Sequence, residues 1–393
     1  MKGRVSAVIL LLLAAVSCTI EKPEKPDDPD APRDTVSHEN IIVLNEGNWQ
    51  SDNGQLSFIR DGKIENKWFQ KMNGYKLGDT PQDIVQINDT LIAVSINWSN
   101  IIRYIRPDGT EVARTEDVPN CRSLCTDADS RYLYVTSYAH RTALGENYQK
   151  GYVAKIDLAD FSVAATCEVG YEPEGVAWYD GRLFVANTGG YAYTEAHDYE
   201  HSVSVVDAAS MELLNTVDIL REDGSFVSNL YGEMSQSGRL LCINSAGNYT
   251  TEGPAAVFFN CSDLSYYVYD MLPATCSTTL TDGKFFIIGS SFSYDTYDGD
   301  TFVYTVDPET GAVYDSYILP DGTENLTVVQ EIMQMSSPYC VYQNPYTGHL
   351  YVSDAGTYAS SGTIFEYDTA GRRVATMNAY INPGHMLALP STK

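Results

Sequence analysis

The sequence predicts an all-β protein, a seven-bladed β-propeller of four-stranded antiparallel blades, and three observations lead there. An apolar run ending in Asn or Ser recurs along the chain: IIVLN to Asn45, LIAVS to Ser95, LYVTS to Ser137, LFVAN to Asn187, LLCIN to Asn244, FIIGS to Ser290 and LYVS to Ser353. A second strand-like segment follows each run in turn: QLSFIRD, IIRYIRPD, YVAKIDL, VSVVDA, AVFFNCS, FVYTVDP and TIFEYDT. The run ends lie 50, 42, 50, 57, 46 and 63 residues apart, spacings that suit one propeller blade with loop insertions.

The plainest copy is Tyr171–Ile219. Pro173–Tyr179 reads as a first strand, and Asp180-Gly181 as a hairpin turn. Arg182–Asn187 alternates with period 2, Ser202–Asp207 is a third strand, Ala208–Ser210 a turn and Leu213–Ile219 a fourth strand. Such a meander cannot bury both faces alone and requires copies of itself as neighbours. No first strand precedes Asn45, whereas a spare one, Pro383–Leu389 (PGHMLAL), stands at the C-terminal end. The expected closure therefore has this strand completing blade one, with residues 41–393 forming one propeller domain.

The chain carries 393 residues, 44% hydrophobic, with 29 Tyr and a net charge of −27. A field of that sign repels phosphate backbones and anionic headgroups, which argues against nucleic acid as a partner. Residues 1–17 read as a signal peptide: a basic start, then an apolar run, Val5–Val16, too short to span a bilayer. Ala15-Val16-Ser17-Cys18 resembles a bacterial lipobox, with Ala15 where Leu is usual. It implies an acylated Cys18 and a lipid-anchored protein, the alternative being a plain secretory signal cut elsewhere. Residues 18–40 form a tether with Pro23, Pro26, Pro29 and Pro32 at the period of a polyproline II turn. At roughly 3.1 Å per residue, such a tether holds the propeller up to about 70 Å from the lipid. Beyond Cys18 stand Cys121, Cys125, Cys167, Cys242, Cys261, Cys276 and Cys340, an odd set without disulfide or zinc spacing. They read as core residues, one disulfide among them remaining open. Period 2 places Cys121 and Cys125 on one strand face.

The blade register sorts polar and aromatic residues onto two faces. Asp61, Asp108, Asp157, Asp207, Asp307 and Asp368 fall at hairpins between third and fourth strands, where Asp accepts bonds from the turn's own backbone. On the opposite face, each second-strand end is followed closely by an aromatic residue. These are Trp49, Trp98, Tyr138, Tyr191, Tyr249, Phe292 with Tyr294, and Tyr358. Asn48, Asn97, Asn187, Asn244 and Asn248 accompany them. Aromatic faces among neutral amides suit a large, mostly uncharged ligand; rings that merely plug the funnel are the alternative. Two long loops join this face. The stretch from Pro320 to Pro338, with Met333 and Met335, reads as a short helix on the rim or a lid. Ser291–Asp300, with Asp295, Asp298 and Asp300, is an acidic loop in which calcium is a weaker alternative, since no EF-hand spacing is present.

No Walker loop, H-E-x-x-H, G-x-S-x-G or dinucleotide fingerprint occurs. The histidines are His38, His140, His197, His201, His349 and His385, and no three of them read as a zinc site. No catalytic residue and no metal ligand is therefore assigned. The blade repeat, the opening VLNEGNW (Val43–Trp49) and the lipobox with its acidic tether resemble the YncE-like surface lipoprotein propellers of Bacteroidota. In size and layout the chain is similar to their cobalamin-capturing BtuG group. The resemblance implies a non-enzymatic outer-membrane lipoprotein exposed at the cell surface. It implies capture of cobalamin or a related corrinoid and its delivery to a TonB-dependent transporter of the BtuB type. A glycan- or protein-binding propeller is the first alternative, and a propeller hydrolase or lyase the second. In the latter, His140, His197 or His201 would converge with carboxylates at the mouth of the axis.

Overall fold

The computed structural model describes residues 40–139, 149–190, 198–232, 234–270, 272–291 and 299–390. Seven four-stranded antiparallel sheets follow one another around an axis, and the fold is a seven-bladed β-propeller. Blade one holds Asn40–Asn45, Gln55–Arg60 and Lys63–Glu65, and its innermost strand is Pro383–Leu389 from the far end of the chain. Blades two to seven each run outward in chain order. Their inner strands are Pro81–Asn88, Cys121–Thr126, Pro173–Tyr179, Ser235–Ser237, Cys276–Thr279 and Pro338–Gln343.

The apolar runs are continuous rather than alternating because each second strand is packed on both faces. In blade one, Ile42 and Leu44 face Ile92 and Val94 of blade two, whereas Ile41 and Val43 face Tyr351 and Ile364 of blade seven. Every blade-to-blade interface has an apolar cluster of this kind. Period 2 splits each run between two neighbours, so no blade is stable without both of them.

Closure follows the predicted route. Ile42 pairs with Leu387 and Asn40 with Leu389, and Met386, Ala388 and Leu389 are buried. The turn acids also behave as expected. Asp207 Oδ1 accepts from the backbone of Ala209 at 3.0 Å and Ser210 at 2.7 Å, and these bonds hold its carboxyl below the ordinary range. Asp108, Asp157, Asp307 and Asp368 cap their hairpins in the same way. The loop leading into blade seven contains a helix, Leu326–Ile332, capped by Asn325 and buried through Val328, Val329 and Ile332. Met333 is exposed and Met335 packs partly against the same cluster.

Two features differ from the sequence expectation. A second helix, Trp68–Asn73, joins blades one and two. It is set by tertiary contact, since Trp68 stacks on Phe58 with ring centroids 4.8 Å apart. Cys121 and Cys125 do not share a strand face. Pairing slips between Cys121 and Leu124, which turns Cys121 toward blade two and Cys125 toward blade four. An extra residue in a strand reverses the alternation beyond it. All seven cysteines beyond Cys18 are free thiols, and five of them are buried.

Deleting residues 382–393 is expected to bare the inner edge of blade one and to open the ring cooperatively. The truncated protein should melt at a temperature lower by about 10 °C or more, measured by circular dichroism. A melting temperature within about two degrees of the full chain contradicts the closure.

Candidate ligand-binding site at the axial mouth

Inner strands border the axis, and five of them carry a β-bulge in the same place. Pairing slips between Pro81 and Asp83, Cys121 and Leu124, Pro173 and Val176, Pro338 and Cys340, and around Gly384 in the closing strand. Four of these strands open on proline, which lacks a ladder donor and is tolerated at the first residue of an edge strand. A bulge leaves its extra residue outside the ladder and re-aims the side chain. Gln82, Arg122, Glu174, Tyr339 and Gly384 accordingly ring a cavity of about 350 Å³ at the mouth of the axis.

A hydroxyl at or beside the end of the second strand holds these bulges. Ser95 Oγ accepts from the Asp83 amide at 3.0 Å in its own blade and donates to the Arg122 carbonyl of the next at 2.6 Å. Thr136 accepts from the Ser123 amide at 3.1 Å and donates to the Glu174 carbonyl at 2.6 Å. Ser353 accepts from the Cys340 amide at 2.9 Å and donates to the Pro383 carbonyl at 2.7 Å. Ser95, Thr136 and Ser353 are therefore rivets between successive bulges.

The charges at the mouth are paired within the protein. Arg122 binds Glu174 through two nitrogens, Nε to Oε2 at 3.0 Å and Nη2 to Oε1 at 2.8 Å. Tyr138 donates its hydroxyl to the same carboxylate, and its ring lies 5.2 Å from the guanidinium. His385 Nδ1 stands 3.8 Å from Asp83 Oδ1. Glu46 comes from the loop after the first strand, and the Tyr339 hydroxyl donates to its Oε2 at 2.8 Å. Burial pushes the Glu46 carboxyl above its ordinary range, against opposing pulls from His385, the Tyr339 bond and Arg122. Burial also raises the Tyr339 phenol, which stays a protonated donor.

The sequence-selected rings divide into three groups. Tyr138 and Tyr249 line the axial cavity, Tyr138 buried and already engaged with Glu174. Trp49 and Trp98 pack edge-to-face at 5.3 Å on the rim, Trp49 being 52% exposed. Tyr358 is exposed, lines a neighbouring depression and packs edge-to-face on Tyr339 at 5.7 Å. Tyr191, Phe292 and Tyr294 lie outside the described residues, as do Cys18, His38, His140, His197, Asp295 and Asp298. Glu46, Arg122, Glu174, Tyr231, Tyr339 and His385 were not selected. For Arg122, Glu174 and Tyr339 the signal was the residue following the cysteine or proline that opens an inner strand, as in CRS, PEG and PYC; Glu46, Tyr231 and His385 carry no such mark.

Of the histidines named for a catalytic reading, His201 stacks on Phe226 with centroids 3.7 Å apart and lies 3.6 Å from Asp218, away from the cavity lining. The histidine that does reach the mouth is His385. Among the described residues, no group of three or more His, Cys, Asp or Glu is arranged to hold a metal ion. Among them too, no helix is long and apolar enough to cross a membrane.

No family model matches the chain, and no curated protein matches it. Solved structures do. A quinoprotein alcohol dehydrogenase-like protein from Bacteroides thetaiotaomicron superposes with a TM-score of 0.57 at 13% identity, covering 90% of this chain and 79% of that one. A protein described as a 6-phosphogluconolactonase from Bacteroides fragilis gives 0.56 at 12% identity, covering 91% and 100%. A hypothetical selenium-binding protein from Sulfolobus tokodaii gives 0.57 at 8% identity, covering 90% and 93%. At these identities the likeness is one of fold, and the neighbours' described activities are diverse.

Proposed function

We propose that the protein is a non-enzymatic capture propeller that holds cobalamin or a related corrinoid at the axial mouth. In this reading Cys18 is acylated, the chain is displayed on the outer surface of the outer membrane, and the ligand passes to a TonB-dependent transporter of the BtuB type. The observation that carries the reading is the chemistry of the mouth. Phenols and amides (Tyr231, Tyr249, Tyr339, Gln82, Asn229, Asn244) surround charges already paired within the protein. Such a surface offers donors, acceptors and flat apolar faces without net attraction for an ionised ligand. A corrin fringed with carboxamides matches it. The cavity is at the low end of small-molecule pockets, which enclose roughly 300–1,000 Å³. A corrinoid therefore lies across the rim and inserts only an edge.

Exposed Trp49 and Tyr358 favour a second reading, a glycan stacked on the rim. Titration calorimetry separates the two. Cyanocobalamin should bind, and Tyr249→Ala or Trp98→Ala should weaken it by about tenfold or more, because an aromatic in a desolvated contact carries on the order of 2 kcal/mol. Asp207→Asn, on the hairpin face, should leave affinity unaltered and cost a little stability through its turn. Heat with oligosaccharide and none with cyanocobalamin replaces the corrinoid by a glycan.

The anchoring is tested separately. Cys18→Ala should release the protein from membranes, and external protease should reach the wild type on intact cells. A variant that still sediments with membranes, or a wild type protected from protease, contradicts the surface-lipoprotein reading.

A further inference from the structure

Ringing the axis, the bulges turn residues toward the mouth, and the residue outside the ladder in the closing strand is Gly384. Its place is not left open. A Cβ built on Gly384 would lie 2.3 Å from Glu46 Oε1, so the Glu46 carboxyl occupies the volume a side chain would take. Strand closure thus brings a carboxyl from the N-terminal loop into a ring otherwise made by inner strands. Glu46 Oε2 is held by the Tyr339 hydroxyl at 2.8 Å, which fixes the orientation of the group.

We propose that Glu46 reads the part of the ligand that enters the mouth, and that this part is a neutral primary carboxamide. The inference rests on the corrinoid reading and names the group by which that ligand is recognised. The groups acting on Glu46 come from four elements: His385 on the closing strand, the protonated Tyr339 hydroxyl on blade seven, Arg122 on blade three and Glu174 on blade four. Arg122 and Glu174 neutralise each other, and His385 stands beside Asp83. A ligand carboxylate would meet the Glu174 carboxylate as well as the Arg122 guanidinium, and a ligand ammonium likewise, so neither ion gains a net attraction. A carboxamide offers one carbonyl acceptor and two N–H donors. A carboxylic acid presents the complement, one O–H donor beside a carbonyl acceptor, so the two close a ring of two hydrogen bonds. Burial holds the Glu46 carboxyl in its protonated form to higher pH than an ordinary glutamate. Below its raised pKa it donates to the amide carbonyl. As pH rises through that pKa the donor is lost and a carboxylate oxygen faces the amide carbonyl, so affinity falls.

The test is cyanocobalamin titration of the full chain across the acidic to mildly alkaline range. Wild type should bind more weakly as pH rises. Glu46→Gln, which keeps a donor and an acceptor without a titrating proton, should bind with one affinity across that range. Glu46→Ala should lose about tenfold at the acidic end, the effect expected for hydrogen bonds in a desolvated site. Gly384→Ala, which drives the carboxyl from its seat, should do the same, and thermal melting of each variant excludes misfolding. A cobalamin derivative with its amides hydrolysed to carboxylates should bind wild type more weakly than the parent. Cyanocobalamin binding that is indifferent to Glu46→Ala, or a pH slope retained in Glu46→Gln, overturns the assignment and leaves the corrinoid reading standing. Absence of any cyanocobalamin binding to wild type overturns both.

Discussion

The geometry of the mouth depends on one kind of hydrogen bond, a second-strand hydroxyl that serves two blades at once. Ser95, Thr136 and Ser353 each accept from an amide in the bulge of their own inner strand and donate to a carbonyl at the bulge of the next. A bulge disrupts its ladder and leaves backbone groups without their usual partners. An unmet buried group costs about 1–3 kcal/mol, so the hydroxyl makes the bulge tolerable and fixes where it falls. The same bond sets the spacing between neighbouring inner strands. Blade packing and site geometry are thus coupled through single oxygen atoms.

That coupling explains how a propeller presents an irregular set of side chains from a regular repeat. The five bulged inner strands contribute the residues displaced from their ladders, among them Gln82, Arg122, Glu174 and Tyr339. Arg122 and Glu174 form a bidentate pair shielded by Tyr138. A buried ion pair is poor evidence for stability, since desolvation offsets most of the Coulomb gain. At the axis it sets fixed polar groups where the ligand is proposed to enter. The apolar clusters carry the fold, and the mouth is free to carry polar chemistry.

The blade repeat was legible because period-2 runs packed on both faces leave a strong, repeated apolar signature, from IIVLN to LYVS. The closing strand was legible by subtraction, since Asn40–Asn45 lacked an inner neighbour and Pro383–Leu389 lacked an outer one. The helix Trp68–Asn73 was not, because Lys67 provides no side-chain cap and the helix is held by Trp68 against Phe58. The site was read only in part. Second-strand ends led to Tyr138 and Tyr249, which reach the cavity, but also to Trp49 and Trp98, which pair with each other on the rim. Arg122 and Glu174 escaped notice because bulges break the alternation used to assign faces, as the opposite orientations of Cys121 and Cys125 show. Glu46 was hidden differently. Its neighbour on the closing strand, Gly384, lies more than three hundred positions away in the sequence, and only ring closure brings them together.

The bulge-built axial mouth is the proposed ligand site of this propeller. A crystal structure of the protein with cyanocobalamin tests it most directly. The corrin should lie across the rim beside Tyr249, with one carboxamide inside the mouth at hydrogen-bond distance from Glu46. A corrinoid bound instead at the opposite, hairpin face, among Asp157, Asp207 and Asp307, would contradict it.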